Sequence, residues 1–161
     1  MLSSSPMRRP LAAVALALVA LAASPLRAEA AERRDLARDE RRGGHTLARH
    51  VGLSDDDLRE RLSREKRIAA ASTWTDRRVA EQVVGETLAL FADRVRGWTR
   101  RTGSRANLAL DHRGSSQRVL GRSLRCGRSR VEACTDAVVV LKWRESASDF
   151  FVLTAYPEVR R

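Results

Sequence analysis

The chain has 161 residues, a formal net charge of +11 and a sequence pI near 11.3. That length suits one small domain, and 43% hydrophobic against 32% charged residues excludes wholesale disorder. Two cysteines exclude a disulfide-dense miniprotein, and the basic surplus favours a polyanionic partner: nucleic acid, anionic lipid or acidic glycan.

Residues 1–30 carry the three-part pattern of a secretory signal peptide. Arg8 and Arg9 form a positive start, Leu11 to Ala23 an unbroken apolar run, and Ala28-Glu29-Ala30 a small-residue cleavage site. Cleavage is expected near Ala30, giving a secreted or periplasmic protein. The run is too short for a permanent membrane anchor. In an oxidising compartment Cys126 and Cys134, eight residues apart, are expected to form a disulfide. A metal site on two cysteines needs further ligands, and none cluster nearby.

Residues 31–42 are dominated by Glu, Arg and Asp and read as a charged N-terminal arm, either a solvated helix or a frayed one. Gly43 and Gly44 interrupt it. Leu47 and Val51 mark a helical turn or two ending at Gly52. Ser54 opens a clearer helix, with Asp55, Asp56 and Asp57 in its first turn and basic residues in its last. Ile68 to Trp74 reads as a small-residue connector. Val84, Leu88, Phe91, Val95 and Trp98 form an amphipathic stripe, predicting one helix from about 76 to 100. The period then changes to two: residues 107–111, 117–124, 137–143 and 150–155 read as strands. Helices first and strands after predict an α+β domain with an antiparallel sheet.

Charge is uneven along the chain. Residues 94–130 hold eleven arginines against the single acid Asp111, a net +10. Such density suits phosphate-backbone binding, and Arg118, Arg122 and Arg125 are candidate substrate contacts. No phosphate-cradling glycine loop, nucleophile elbow or zinc-type ligand set is present in the sequence. Of the histidines, His45 and His50 lie five apart and His112 falls in a predicted turn. Thr154 and Tyr156 are two apart on the last strand, so both hydroxyls project from one face. Spacing alone leaves these residues as ordinary surface and strand positions.

Their order along the chain adds to this. Gly43-Gly44-His45-Thr46-Leu47-Ala48-Arg49-His50-Val51-Gly52, followed by Leu58, Arg61 and Leu62, resembles the opening of the bacterial RNase A-like domain. That domain is known from the toxic C-terminal tips of contact-dependent growth inhibition proteins. Ala71 to Asp76 before a long helix, Trp98, and the closing Val152-Leu153-Thr154-Ala155-Tyr156-Pro157 are also similar. The resemblance implies an RNase A-like, kidney-shaped α+β catalytic domain over residues 43–161. It implies a ribonuclease without metal or cofactor, and a site of His50, Arg61, Thr154 and Tyr156. His45 matches a residue commonly seen there and is carried only as a candidate substrate contact. RNA and a cognate immunity protein are the implied partners of a chain read as a monomer.

On this reading His50 removes the ribose 2′-OH proton, and the oxygen attacks the adjacent phosphorus to form a 2′,3′-cyclic phosphate. Arg61 stabilises the phosphate charge, Thr154 positions the phosphate or a base edge, and Tyr156 hydrogen-bonds the phosphate or supplies a proton. The donor for the leaving oxygen is unassigned. An antibacterial toxin role is a further expectation. Two readings stay open beside it: a non-catalytic exported polyanion-binding module, and a cationic protein acting on membranes.

Overall fold

The structure is a computed structural model, and it describes residues 31–159. The signal-peptide reading of residues 1–30 lies outside the described residues. Three short helices open the fold: α1 (Leu36–Glu40), α2 (Thr46–His50) and α3 (Asp55–Arg64). Strand β1 (Ala70–Trp74) leads into α4 (Arg77–Leu90) and α5 (Ala92–Thr99). Then come β2 (Leu108–His112), β3 (Gly121–Arg125), β4 (Glu132–Cys134), β5 (Asp136–Arg144) and β6 (Asp149–Glu158). All sheet pairings are antiparallel, in two three-stranded sheets ordered β1-β3-β4 and β2-β5-β6. The domain is α+β as expected, with two sheets where one was anticipated.

Each sheet has its own core. Leu36, Trp74, Val83, Val84, Leu110 and Val139 are among the buried residues of the larger one. Leu58 of α3, Ala71 of β1 and Leu124 of β3 form a smaller core, ringed by Leu53, Leu62, Ile68 and Val131. The sheets are tied where Trp74 of β1 donates its indole N–H to the Ala155 carbonyl of β6 at 3.0 Å. Gly121 of β3 sits under the same crossing. A Cβ there would stand 2.2 Å from the Thr73 carbonyl oxygen and 2.8 Å from Pro157 Cγ.

β6 changes face partway along. Val140 pairs with Thr154 but Leu141 pairs with Val152, so Leu153 is an extra residue, a β-bulge. Val152 and Ala155, three apart, therefore both reach the large core. Thr154 and Tyr156 are turned away from it and line a cleft.

Several elements differ from the sequence reading. Ile68–Trp74 contains a strand, not a connector. Four of the five β1 residues are buried, so period-two alternation is absent and the short Ala-Ala-Ser-Thr run resembles a linker. β4 is only three residues long and carries no pattern. The long helix is two helices that meet at Phe91. The turn aims Trp98 edge-on at Trp143 and Phe150, with ring centroids 6.0 and 6.1 Å away. Residues 31–42 are neither frayed nor solvated on all sides. Leu36 is fully buried, Arg34 grips the buried Asp39 carboxylate with two hydrogen bonds of 2.8 and 2.7 Å, and Arg34 N–H donates to the Glu81 carbonyl. His112 lies not in an exposed turn but at the buried end of β2, with Nδ1 3.1 Å from Thr87 Oγ1.

The expected disulfide is corrected. Cys126 and Cys134 are both free thiols. Register explains it: Cys134 pairs across from Gly121, while Cys126 follows Arg125 at the opposite end of β3. About 16 Å of extended strand separates the two positions, far beyond disulfide reach. Cys126 is exposed, whereas Cys134 is buried and its thiol pKa is pushed up to about 12 by burial.

Two outcomes follow. A thiol reagent should titrate Cys126 in the native protein and Cys134 only after unfolding; two silent cysteines under denaturing, non-reducing conditions would restore the bridge. Leu36→Ala should lower unfolding free energy in urea by about 2–5 kcal/mol, the cost of a cavity in a packed core, rather than the near-zero change of a frayed arm.

Candidate active site

A cleft of about 380 Å³ opens at the seam between the two cores. Into it come His45 and His50 from the α2 region, Arg61 from α3, and Thr154 and Tyr156 from β6. Residues 68–70, Ser72 and Ser123 line its other wall.

Local sequence chemistry places α2. Gly43 has a φ of +102°, a left-handed conformation that favours glycine. At Gly44 a Cβ would stand 2.5 Å from the Val152 carbonyl oxygen. The chain can therefore pass tightly over the β6 bulge. His45 N–H donates to the Leu153 carbonyl at 2.9 Å, and Ala155 N–H donates to the buried Thr46 Oγ1 at 2.8 Å. α2 is thus fastened to β6 on either side of Thr154.

His50, at the end of α2, is 7% exposed. Its Nδ1 lies 3.1 Å from the Ser72 carbonyl oxygen. A carbonyl only accepts, so Nδ1 carries the proton and Nε2 keeps its lone pair. Burial pushes the His50 pKa down to about 4; the Ser72 bond opposes this and the Arg61 charge reinforces it. The imidazole is neutral at pH 7 and held in the tautomer a general base needs. Its ring lies 5.5 Å from the Tyr156 ring, tilted by 33°. The pKa of His45 is lowered as well, by burial and by the charges of Arg49 and Arg61.

α3 begins with a reciprocal cap: Ser54 Oγ accepts from Asp57 N–H, and the Asp57 carboxylate accepts from Ser54 N–H. Seven residues past that cap, Arg61 reaches back to α2, its Nη1 donating to the Arg49 carbonyl at 2.8 Å. Glu65 Oε1 is 3.4 Å from its Nε. That contact is an ion pair but not an aligned hydrogen bond, and Arg61 Nε is a buried donor with no hydrogen-bond acceptor. Thr154 Oγ1 is likewise buried and without a partner. Unsatisfied buried polar atoms are uncommon and costly. Two in one cleft, beside an imidazole with an open lone pair, make a site shaped for a hydrogen-bonding anion.

The structure brings His45, His50, Arg61, Thr154 and Tyr156 together, although more than a hundred residues separate the first from the last. The candidate contacts Arg118, ahead of β3, and Arg122 and Arg125, on it, are paired with carboxylates. Arg118 pairs with Glu86 at 3.0 Å, Arg122 with Asp55 at 2.6 Å, and Arg125 with Glu132 at 3.7 Å. None of the three lines the cleft. Sequence reasoning missed Ser72, whose carbonyl sets the His50 tautomer, and Thr46, which fastens α2. A backbone carbonyl leaves no residue-type signal, and a threonine at a helix start reads as a cap. Among the described residues no group of three or more His, Cys, Asp or Glu is placed to hold a metal ion.

The fold is a small α+β domain whose cleft sets the buried His50 beside two buried polar atoms without hydrogen-bond partners. Comparison with known proteins makes this specific: residues 44–157 match the family model described as Bacterial CdiA-CT RNAse A domain, and the chain belongs to that family. It is an RNase A-like toxin domain of the contact-dependent inhibition type, and this membership supports ribonuclease activity in general. The fold is also similar to a solved CdiA-CT/CdiI complex from Y. kristensenii 33638. The TM-score is 0.63 at 25% identity, covering 71% of this chain and 99% of that one. No curated protein matches the chain.

The lowered pKa of His50 sets a stability window. A base whose folded pKa lies below its unfolded value of about 6.5 binds protons more tightly when unfolded. Unfolding free energy should therefore fall as pH drops from 6.5 towards 4, and this contribution should level off below that. Urea titrations across this range should show a smaller acid loss for His50→Asn than for the parent.

Proposed function

We propose that the protein is an endoribonuclease that cleaves RNA by attack of a ribose 2′-OH on the adjacent phosphate. The observation that supports this best is the convergence of two donors without hydrogen-bond acceptors, Arg61 Nε (ion-paired with Glu65) and Thr154 Oγ1, with the neutral His50 in one cleft. Phosphate oxygens would satisfy both donors at once, and the imidazole is in the form that accepts a proton.

The roles follow from chemistry. His50 Nε2 takes the 2′-OH proton as that oxygen bonds to phosphorus. Arg61 and Thr154 hold the non-bridging oxygens, whose negative charge grows in the transition state. The bond to the 5′-oxygen breaks, leaving a 2′,3′-cyclic phosphate on one fragment. Tyr156 supplies its phenolic proton to the departing 5′-oxygen. The His50 proton then returns through solvent to restore the phenol. DNA lacks the attacking hydroxyl and would not be cut. This scheme needs no metal, since Arg61 supplies the positive charge. The signal-peptide pattern of residues 1–30 supports export to the periplasm or beyond. The CdiI partner in the similar structure supports a cognate inhibitor for this chain.

Mature protein incubated with RNA in EDTA should yield fragments ending in 2′,3′-cyclic phosphate. His50→Ala should reduce kcat by about 10²–10⁴-fold, and cleavage undiminished by that change would falsify the assignment. The acid limb of kcat/KM reports the base in the free enzyme, so it should lie well below pH 6.5. Tyr156→Phe should slow RNA cleavage but spare a nucleoside 3′-aryl phosphate, whose leaving group needs no proton. Equal losses on both substrates would remove Tyr156 from the acid role.

A further inference from the structure

The basic segment 94–130 is not uniformly available to a ligand. Arg96 pairs with Asp93, Arg105 with Glu145, and Arg113 with Asp136; Arg118 and Arg122 are engaged as described. Arg105 also lies over the Trp143 ring, 3.9 Å from its centroid. Among the described residues, no carboxylate lies within 4 Å of the guanidinium of Arg94, Arg100, Arg101, Arg128 or Arg130. These five are the uncommitted charges of the segment.

Topology divides them. Arg94, Arg100 and Arg101 belong to α5 or its end, and α5 packs through Trp98 on Trp143 and Phe150. Phe150 pairs with Trp143 and Thr154 with Val140, so that contact lies about 13 Å of strand from the site hydroxyl. Arg128 and Arg130 are instead on the β3–β4 loop, which turns at Gly127 with a φ of +76°. With Arg125, Ser129 and Val131 they line a separate hollow of about 670 Å³.

That hollow borders the cleft. Ser72 pairs with Ser123 and Ala70 with Arg125, and the first three of these line the cleft. Side chains two apart on a strand share a face. Arg125 therefore follows Ser123 on the cleft's own side, about 7 Å along β3. Its ion pair with Glu132 is long, at 3.7 Å, and half-exposed; such pairs are weak and readily exchanged for a phosphate.

We infer that the β3–β4 loop is a phosphate-binding subsite for single-stranded RNA, in which Arg128 and Arg130, with Arg125 at the join, hold backbone phosphates next to the nucleotide being cut. This rests on the ribonuclease reading for its ligand, but its test does not require cleavage. A polyanion strand fits better than an acidic protein patch, because the arginines run from the end of β3 into its loop, beside a cleft with two buried donors that lack hydrogen-bond acceptors.

The probe is a ten-nucleotide 2′-O-methyl RNA, which has no 2′-OH to react. Its Kd is measured by fluorescence anisotropy across a salt series. Removing two phosphate contacts in Arg128→Ala/Arg130→Ala should make the slope of log K against log salt shallower by about 1.4, and weaken binding on the order of tenfold near 100 mM salt. Arg128→Lys/Arg130→Lys keeps the charges and should keep most of the slope. Wild-type Kd and slope in the alanine pair would overturn the inference and leave the loop to a protein partner. Equal loss in the lysine pair would also overturn it, since charge would then not be the cause. Salt-dependent binding of the probe by wild type, with no cleavage of ordinary RNA, would instead remove the ribonuclease reading and leave this subsite standing.

Discussion

The docking of α2 across the bulge of β6 is the constraint on which the site depends. An extra residue in a strand interrupts its ladder and leaves backbone groups unpaired. Here the repair comes from a helix: Thr46 Oγ1 accepts from Ala155 N–H, and Leu153 accepts from His45 N–H. One set of contacts thus satisfies the irregular strand and delivers His50 to the face that carries Thr154 and Tyr156. Without the bulge, Val152 and Thr154 would share a face, and the hydroxyl would point into the large core.

The second consequence is electrostatic. Bringing His50 to the seam between two cores removes it from water, and that suppresses its protonation. The Ser72 carbonyl then fixes which nitrogen stays open. Arg61 is held in the same seam by α3, its Nη1 occupied by Arg49 and its Nε left without an acceptor. A buried unsatisfied donor is destabilising, and it is the kind of cost that a bound anion would relieve.

Charge and chemistry occupy different parts of the molecule. Six of the eleven arginines of the basic segment pair with carboxylates, four of them with partners distant in sequence: Glu145, Asp136, Glu86 and Asp55. The net charge therefore overstates the surface open to a polyanion. The cleft is built from residues outside that segment, Ser123 excepted, and the two meet only along the end of β3.

The amino-acid sequence by itself determined the α+β class, the capped start of α3, the stripe of the central helices and the four strongest strands. Each of these is written in local periodicity or in the chemistry of a cap. The order of the His-Val-Gly, Arg and Thr-x-Tyr elements also pointed to the cleft residues. Only the tertiary structure decided the rest. β1 hides because burial on both sides erases alternation, and α1 is held by a leucine buried in the large core and by the backbone bond from Arg34 to Glu81, both set by residues far along the chain. The cysteines stay apart because strand register, not sequence distance, sets their separation. The availability of each arginine, the tautomer of His50 and the facing of Thr154 are all set by groups dozens of residues away. Such long-range pairings leave no trace in a local pattern.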